Sequence, residues 1–179
     1  MLKLNFNSFP KIETERLVLR QLDTADAQDL YLIRTDPVVL RYTNMAVHQN
    51  VAETEAYIER ILGNEARGES IMWTMALKSD PDKLIGTMCF WNIEPEHDRA
   101  EIGYILHPDL HGQGLMGEAL TPAIAYGFDG MKLRTIIGDV HQENIASIKI
   151  LLRNGFVKQE NEIDEIDPDR EIYILESKE

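Results

Sequence analysis

Residues 106–120 read LHPDLHGQGLMGEAL, which places Gly112, Gly114 and Gly117 between a predicted strand and a predicted helix. Glycines at such a junction let backbone amides come close to a ligand, and the first helical turn adds unpaired N–H groups and the positive end of the helix dipole. Together these features form a cradle for a pyrophosphate. Taken literally the glycines spell G-x-G-x-x-G, and Asp139 follows 22 residues after Gly117, as a dinucleotide-binding fingerprint requires. The surroundings argue against that assignment. Pro108 breaks the strand before the first glycine, and over a hundred residues precede the loop. The 62 residues after Gly117 are too few to supply the further parallel strands of a doubly wound sheet.

Upstream of the loop, three strand-like runs are separated by the turn compositions SDPD and EPEHD: IMWTMALK (71–78), KLIGTMCFWNI (83–93) and RAEIGYIL (99–106). They read as an antiparallel meander. Before them lies a helix over 51–67, with Ile58, Ile61 and Leu62 on its apolar face and Gly68 at its end. An earlier helix has Asp23 as N-cap and Ala27, Leu30, Tyr31 and Arg34 at helical spacing, and residues 12–20 alternate as one half-buried strand. Downstream, a helix over 114–129 contains Pro122, which is expected to bend it. A strand over 134–140 follows, then a helix over 145–154, the strand FVKQE, an acidic loop and the strand REIYILES. In the last helix Asn144 is the expected N-cap, Ser147 sits one turn in, Ile145, Ile148, Leu151 and Leu152 form the apolar face, and Asn154-Gly155 supplies the C-cap. The alternation is that of a mixed α/β domain.

With 31 acidic and 18 basic residues the formal charge is −13, which opposes a phosphate backbone, and no Lys/Arg run reverses it locally. Nucleic acid is therefore not an expected partner. The hydrophobic fraction of 44% suits one folded domain over 1–179, and about 70% of the unfolded surface is buried at this size. The longest nearly apolar run, Leu84–Ile93, is too short for the roughly 20 residues of a membrane span. No secretion signal is read at the N-terminus, and a single cysteine, Cys89, fits a reducing cytoplasm. Cys89 lies mid-strand and is expected in the core, as are Trp73, Trp91 and Tyr104, whose alternative role is to line a substrate channel. The five histidines show no metal-ligand spacing, so no metal is expected. The segment Glu160–Glu171, with seven acids and one base, reads as a solvated hairpin loop, the alternative being a surface that attracts a cationic substrate.

Four blocks in order, TERLVLRQLDTADAQDLYLIRTDP, LIGTMCFWNI, AEIGYILHPDLHGQGLMGEAL and NIASIKILLRNGF, resemble the GNAT acetyltransferases, in particular the branch of ribosomal-protein N-terminal acetyltransferases. The resemblance spans nearly the whole chain. It implies an α/β (α+β) fold, a strongly bent mixed sheet flanked by helices, with acetyl-CoA in a gap between two splayed parallel strands. By that resemblance the strand holding Tyr104, Ile105 and Leu106 pairs with the pantetheine arm. The amides of Gly112, Gln113, Gly114, Leu115, Met116 and Gly117 hold the pyrophosphate, Asn144 bonds the pantetheine region, and Ser147 lies near the sulfur. The chain departs from the pattern at His111 and Met116, where the family usually has Arg or Gln and Gly or Ala. Leu151 stands where the wider superfamily often has a tyrosine acid.

Acyl transfer to an amine needs a deprotonated amine, a polarised carbonyl and a tolerable leaving thiolate. Alternation in RAEIGYIL puts Glu101, Gly103 and Ile105 on one face, so Glu101 is the candidate base, with strand amides near Tyr104 and Ile105 to polarise the carbonyl. Ser147 is the candidate thiol contact or weak acid. The expected activity is acetyl-CoA-dependent N-acetylation of a primary amine, either a protein N-terminus or a small amine such as a polyamine or antibiotic. A non-catalytic acyl-CoA-binding domain is the rival of another class, and assembly as a homodimer is left open.

Overall fold

Period-two alternation along the central strands sorts the apolar side chains onto two faces of one sheet. The computed structural model describes Leu4, Phe6, residues 8–163 and residues 167–178. Its strands are β1 (Ile12–Glu13), β2 (Leu17–Gln21), β3 (Ile71–Leu77), β4 (Gly86–Glu94), β5 (Arg99–Leu106), β6 (Thr135–His141), β7 (Val157–Ile163) and β8 (Arg170–Glu176). They lie in the order β1-β2-β3-β4-β5-β6-β8-β7. Only β5 and β6 run parallel; the remaining neighbours are antiparallel. The helices are α1 (Ala27–Thr35), α2 (Pro37–Leu40), α3 (Val51–Ala66), α4 (Leu115–Asp129) and α5 (Ile145–Arg153). Among the described residues no helix is long and apolar enough to cross a membrane.

One face of the sheet carries Trp73, Met75, Met88, Phe90, Ala100, Ile102 and Leu106, buried under Leu115, Ala119, Leu120 and Ala123 of α4 and Leu151 of α5. The other face carries Met72, with Cys89 and Ile105 packed beside it, under Leu30 and Ile33 of α1 and Ile58 and Ile61 of α3. The meander therefore forms as its alternation requires. Trp73 is wholly buried in the α4-side core, its indole N–H donating to the Pro10 carbonyl at 2.7 Å.

Three expectations need correction or restriction. Residues 12–20 form a hairpin rather than one strand, with Ile12 opposite Leu19, because the Thr14 hydroxyl accepts the Leu17 amide and closes a turn. On α5 only Leu151 is buried, while Ile145 and Leu152 are 53% and 51% exposed. At 100° per residue both lie outside the stripe through Ile148 and Leu151 that meets β6. The centre of the acidic segment, 164–166, lies outside the described residues; its flanks belong to β7 and β8. Helix α4 continues through Pro122.

The feature that positions the site is the short β5–β6 pairing, which runs only from Arg99 opposite Thr135 to Glu101 opposite Ile137. Beyond it β5 pairs with β4 alone and β6 with β8 alone, so the strands part. Helix α5 packs down onto β6 at Gly138, where an added Cβ would come within 2.9 Å of Leu151 Cδ1. This close approach sets the height of Asn144 and Ser147 above the gap.

Candidate functional site

The glycine loop has the backbone its sequence requires. Gly112 and Gly114 have φ of +74° and +77°, the left-handed region that costs other residues about 1–2 kcal/mol. Gly114 is the N-cap of α4, whose first backbone bond runs from Glu118 N–H to the Gly114 carbonyl at 3.0 Å. The amides of Leu115, Met116 and Gly117 thus stand in the turn that lacks intrahelical acceptors. An added Cβ at Gly112 or Gly117 would meet nothing within 4 Å, so the space above the loop is open. His111 Nε2 lies 2.9 Å from the Leu106 carbonyl and fastens the loop to the end of β5. On the other side Arg16 binds Glu118 at 2.7 Å and the Gln113 carbonyl at 3.1 Å, tying the β1–β2 hairpin to the loop. Burial pushes the Glu118 carboxyl up, but bonds from Thr14 and Arg16 outweigh it and hold the group below the usual carboxylate value.

This loop borders a cavity of about 730 Å³ that runs into the β5–β6 gap, past Tyr104, Ile105, Leu106, Asn144 and Ser147. Arg41, Lys149 and Arg153 also line it. These cations come from two places in the chain, the end of α2 and one turn of α5, and offset the acidic background where an anionic cofactor would lie. Asn144 caps α5 as expected, its side chain accepting the Ser147 amide at 3.2 Å. The Ser147 and Tyr104 hydroxyls are 2.7 Å apart, and burial pushes the Tyr104 phenol up to about 12. The ladder fixes which β5 amides face the gap. His107 N–H bonds the Ile85 carbonyl at 2.8 Å, so by alternation Ile105 bonds toward β4 while the groups of Tyr104 and Leu106 face β6. Ile105 therefore turns its backbone groups to β4, and the N–H groups of Tyr104 and Leu106 are directed toward the gap.

A second cavity of about 720 Å³ lies under α1 and α3 on the opposite face and shares Tyr42, Thr43, Tyr104, Ile105, Asn144 and Ser147 with the first. Glu101 lines it, as do Cys89, Trp91, Arg34, Tyr57 and Arg60. Glu101 accepts a hydrogen bond from the Asn92 side chain at 2.6 Å. Asn92 has φ of +45° and lies where the β4–β5 register shifts, so this irregularity aims the amide at the carboxylate. Cys89 is not simply core: it borders this cavity, with its thiol pushed up to about 12 by burial. Asp139, which completed the nominal dinucleotide fingerprint, is bonded to Arg170 at 2.7 Å.

Most residues singled out in sequence converge on one gap: Gly112, Gly114, Leu115, Met116 and Gly117 at its far end, Asn144 and Ser147 on α5, Tyr104, Ile105 and Leu106 on β5, and Glu101 beyond the parting of the strands, whereas Gln113 lines neither cavity and its carbonyl is bonded by Arg16. Trp91 and Tyr104 line cavities, whereas Trp73 does not. Not anticipated were the cations of the first cavity, the Asn92–Glu101 bond, the Tyr104–Ser147 pair and the Arg16–Glu118 brace. Each joins segments distant in sequence or depends on a local bulge. No short-range pattern signals them.

The family model for the acetyltransferase (GNAT) domain matches residues 16–157. An uncharacterized N-acetyltransferase, p20 of Bacillus licheniformis, is 36% identical over 146 residues, 82% of this chain and 82% of that protein. Among solved structures, the ribosomal L7/L12 α-N-protein acetyltransferase RimL in complex with coenzyme A superposes with a TM-score of 0.80 at 21% identity, covering 93% of this chain and 98% of that one. The spermidine N-acetyltransferase of Vibrio cholerae in complex with CoA and spermine superposes with a TM-score of 0.78 at 19% identity, covering 89% and 95%.

Proposed function

The chain belongs to the GNAT acetyltransferase family, and from that premise we propose that it transfers an acetyl group from acetyl-CoA directly to a primary amine held in the second cavity. The observation that carries this reading is that the two cavities meet at the parting of β5 and β6, with Tyr104, Ile105, Asn144 and Ser147 lining both. Open space above Gly112 and Gly117, the free helix turn and the three lining cations suit a pyrophosphate-bearing cosubstrate. When bound, acetyl-CoA supplies an activated thioester carbonyl and a thiol leaving group.

The amides of residues 112–117 hold the pyrophosphate, assisted by Arg41, Lys149 and Arg153. The Asn144 side chain bonds the pantetheine region. The Tyr104 N–H, aimed into the gap, polarises the carbonyl and is pre-organised for that charge by the β4 ladder. Glu101, steadied by Asn92, takes a proton from the acceptor ammonium, and the neutral amine then attacks the thioester carbonyl. Ser147 contacts the sulfur and hands a proton to the departing thiolate. Tyr104 stays a phenol at working pH and holds the Ser147 hydroxyl in place, and Ser147 regains its proton from the amine nitrogen of the collapsing tetrahedral intermediate. Cys89 remains a thiol, so no acyl-enzyme on it is part of the reaction. Holding both reactants across one gap supplies much of the acceleration.

The acceptor class, a protein N-terminus or a small amine, is tested by following CoA release over a panel of amines and amino-terminal peptides. Acetylation of members of one class is expected. Glu101→Gln should lower kcat about 10²–10⁴-fold while acetyl-CoA still binds. Transfer unaffected by Glu101→Gln would remove Glu101 as the base, and a protein that binds acetyl-CoA but transfers to no amine would be a non-catalytic acyl-CoA-binding domain.

A further inference from the structure

Among the described residues no carboxylate pairs with one buried cation of the acceptor cavity. Arg34, on the last turn of α1, is 6% exposed and lines the cavity. Among the described residues its Nε–H has no hydrogen-bond partner, and its Nη groups reach the Met45 thioether and the Ala46 carbonyl, each at 3.4 Å, and the Tyr57 phenol. A guanidinium offers five N–H donors, so the Nε edge of this one keeps unspent capacity. The group stacks on Tyr57, 4.2 Å from the ring centroid, and burial lowers its pKa from the ordinary arginine value. Arg60, exposed at the cavity mouth, lies 5.2 Å from the same ring. Neither guanidinium forms an ion pair among the described residues, and Tyr57 is kept neutral by burial.

The other charges around the cavity are accounted for differently. Asp139 is bonded to Arg170, and Glu69 to Arg67 at 2.8 Å. Glu101 remains as the carboxylate opposite. Cys89, Glu101 and Arg34 line the same cavity. A chain of net charge −13 has thus kept two uncompensated guanidinium groups in its acceptor cavity. Leaving a buried charge unpaired is costly, and an oxyanion that arrives with the substrate removes that cost on binding.

Resting on the transferase reading above, we propose that the acceptor is a small amine carrying a carboxylate, with the carboxylate received by Arg34 and screened by Arg60 while Glu101 takes the proton from the amine. Planar carboxylates match the guanidinium edge, which favours them over other anions. A polyamine would bring further positive charge to Arg34 and is selected against.

The test uses matched acceptors that differ only in the carboxylate: phenylalanine against phenethylamine, lysine against cadaverine, and γ-aminobutyrate against propylamine. Wild-type kcat/KM should favour the acid member of at least one pair by about 10- to 100-fold, the worth of a hydrogen bond to a charged group. In Arg34→Met the same ratio should fall to near one, and Arg34→Lys should restore part of it. A purely structural arginine would lower both members alike and leave the ratio unchanged. Thermal melting and acetyl-CoA titration report whether each variant is folded, and Arg60→Gln, at the exposed mouth, should reduce the ratio several-fold without threatening the fold. A wild-type ratio at or below one, a ratio that survives Arg34→Met, or transfer to no acid-bearing amine would overturn the proposal. Equal use of peptides beginning with Asp or Glu would also overturn it, placing the carboxylate on a peptide. Calorimetric binding of acetyl-CoA, together with transfer to any amine, is scored separately. The transferase reading can therefore stand when this one fails.

Discussion

Gly114 separates the contribution of the loop to folding from its contribution to binding. Its φ of +77° is in the left-handed region, and an added Cβ would have only Arg16 Nη2 near it, at an ordinary 3.7 Å. Substitution therefore costs conformational energy rather than a collision. Alanine should cost about 1–2 kcal/mol, asparagine less because it tolerates this region, and valine more because its branched Cβ crowds the backbone. For a chain of this length each kcal/mol lowers Tm by about 2–4 °C, so Gly114→Ala should melt about 2–8 °C below wild type. The strain can be relieved by rotating the loop, and that turns the amides of 112–117 away from the pyrophosphate. Loss of one or two charge-assisted bonds at about 1.5–3 kcal/mol each should weaken acetyl-CoA binding at least 10-fold. Differential scanning calorimetry and isothermal titration over Gly114→Asn, Gly114→Ala and Gly114→Val should give the same rank order in Tm and in affinity. If Gly114→Ala melts as expected yet binds acetyl-CoA within two-fold of wild type, the loop amides do not carry the binding.

Three further outcomes follow from the geometry. Asp26 is 2% exposed, binds Arg20 through both oxygens at 2.7 and 2.8 Å and also accepts from Thr74. Asp26→Ala should therefore cost about 3–5 kcal/mol in urea unfolding, and a loss under 1 kcal/mol would contradict the pairing. The Glu118 carboxyl is held below its ordinary value near 4.5, so its stabilisation is present above that pH and is lost as pH falls through the lower folded value. Glu118→Gln should accordingly be less stable at pH 7 and show a flatter fall in Tm below pH 4.5; parallel acid limbs would refute this. Ser147→Ala should remove the bond to Tyr104 and lower kcat more than it changes acetyl-CoA affinity, read by single-turnover assays.

The parts of this molecule legible in its sequence are those set by local chemistry. The meander follows from turn residues between alternating runs, and the same alternation put Glu101, Gly103 and Ile105 on the face away from α4. The loop at 112–117 was legible because only glycine serves at two left-handed positions ahead of a helix. The sequence of 12–20 reads as one strand although 12–21 forms a hairpin, because the turn is closed by a single threonine hydroxyl rather than by Gly or Pro. Ile145 and Leu152 fit a helical pattern yet stay exposed, since a nine-residue helix crossing the end of a sheet buries a narrow stripe. Arg34 showed helical spacing in the sequence. That its charge lacks a carboxylate partner is a property of the tertiary packing around α1 and α3 and has no local signature.

The central claim is that the cosubstrate lies along the β5–β6 gap with its pyrophosphate on the loop. Backbone ¹H–¹⁵N spectra recorded during an acetyl-CoA titration test this most directly. The amides of Gly112, Gln113, Gly114, Leu115, Met116 and Gly117 should shift together with those of Tyr104 and Ser147 and saturate at one equivalent, while those of β2 and α3 stay in place. Saturable shifts that avoid the loop, or no shifts at millimolar acetyl-CoA, would contradict it.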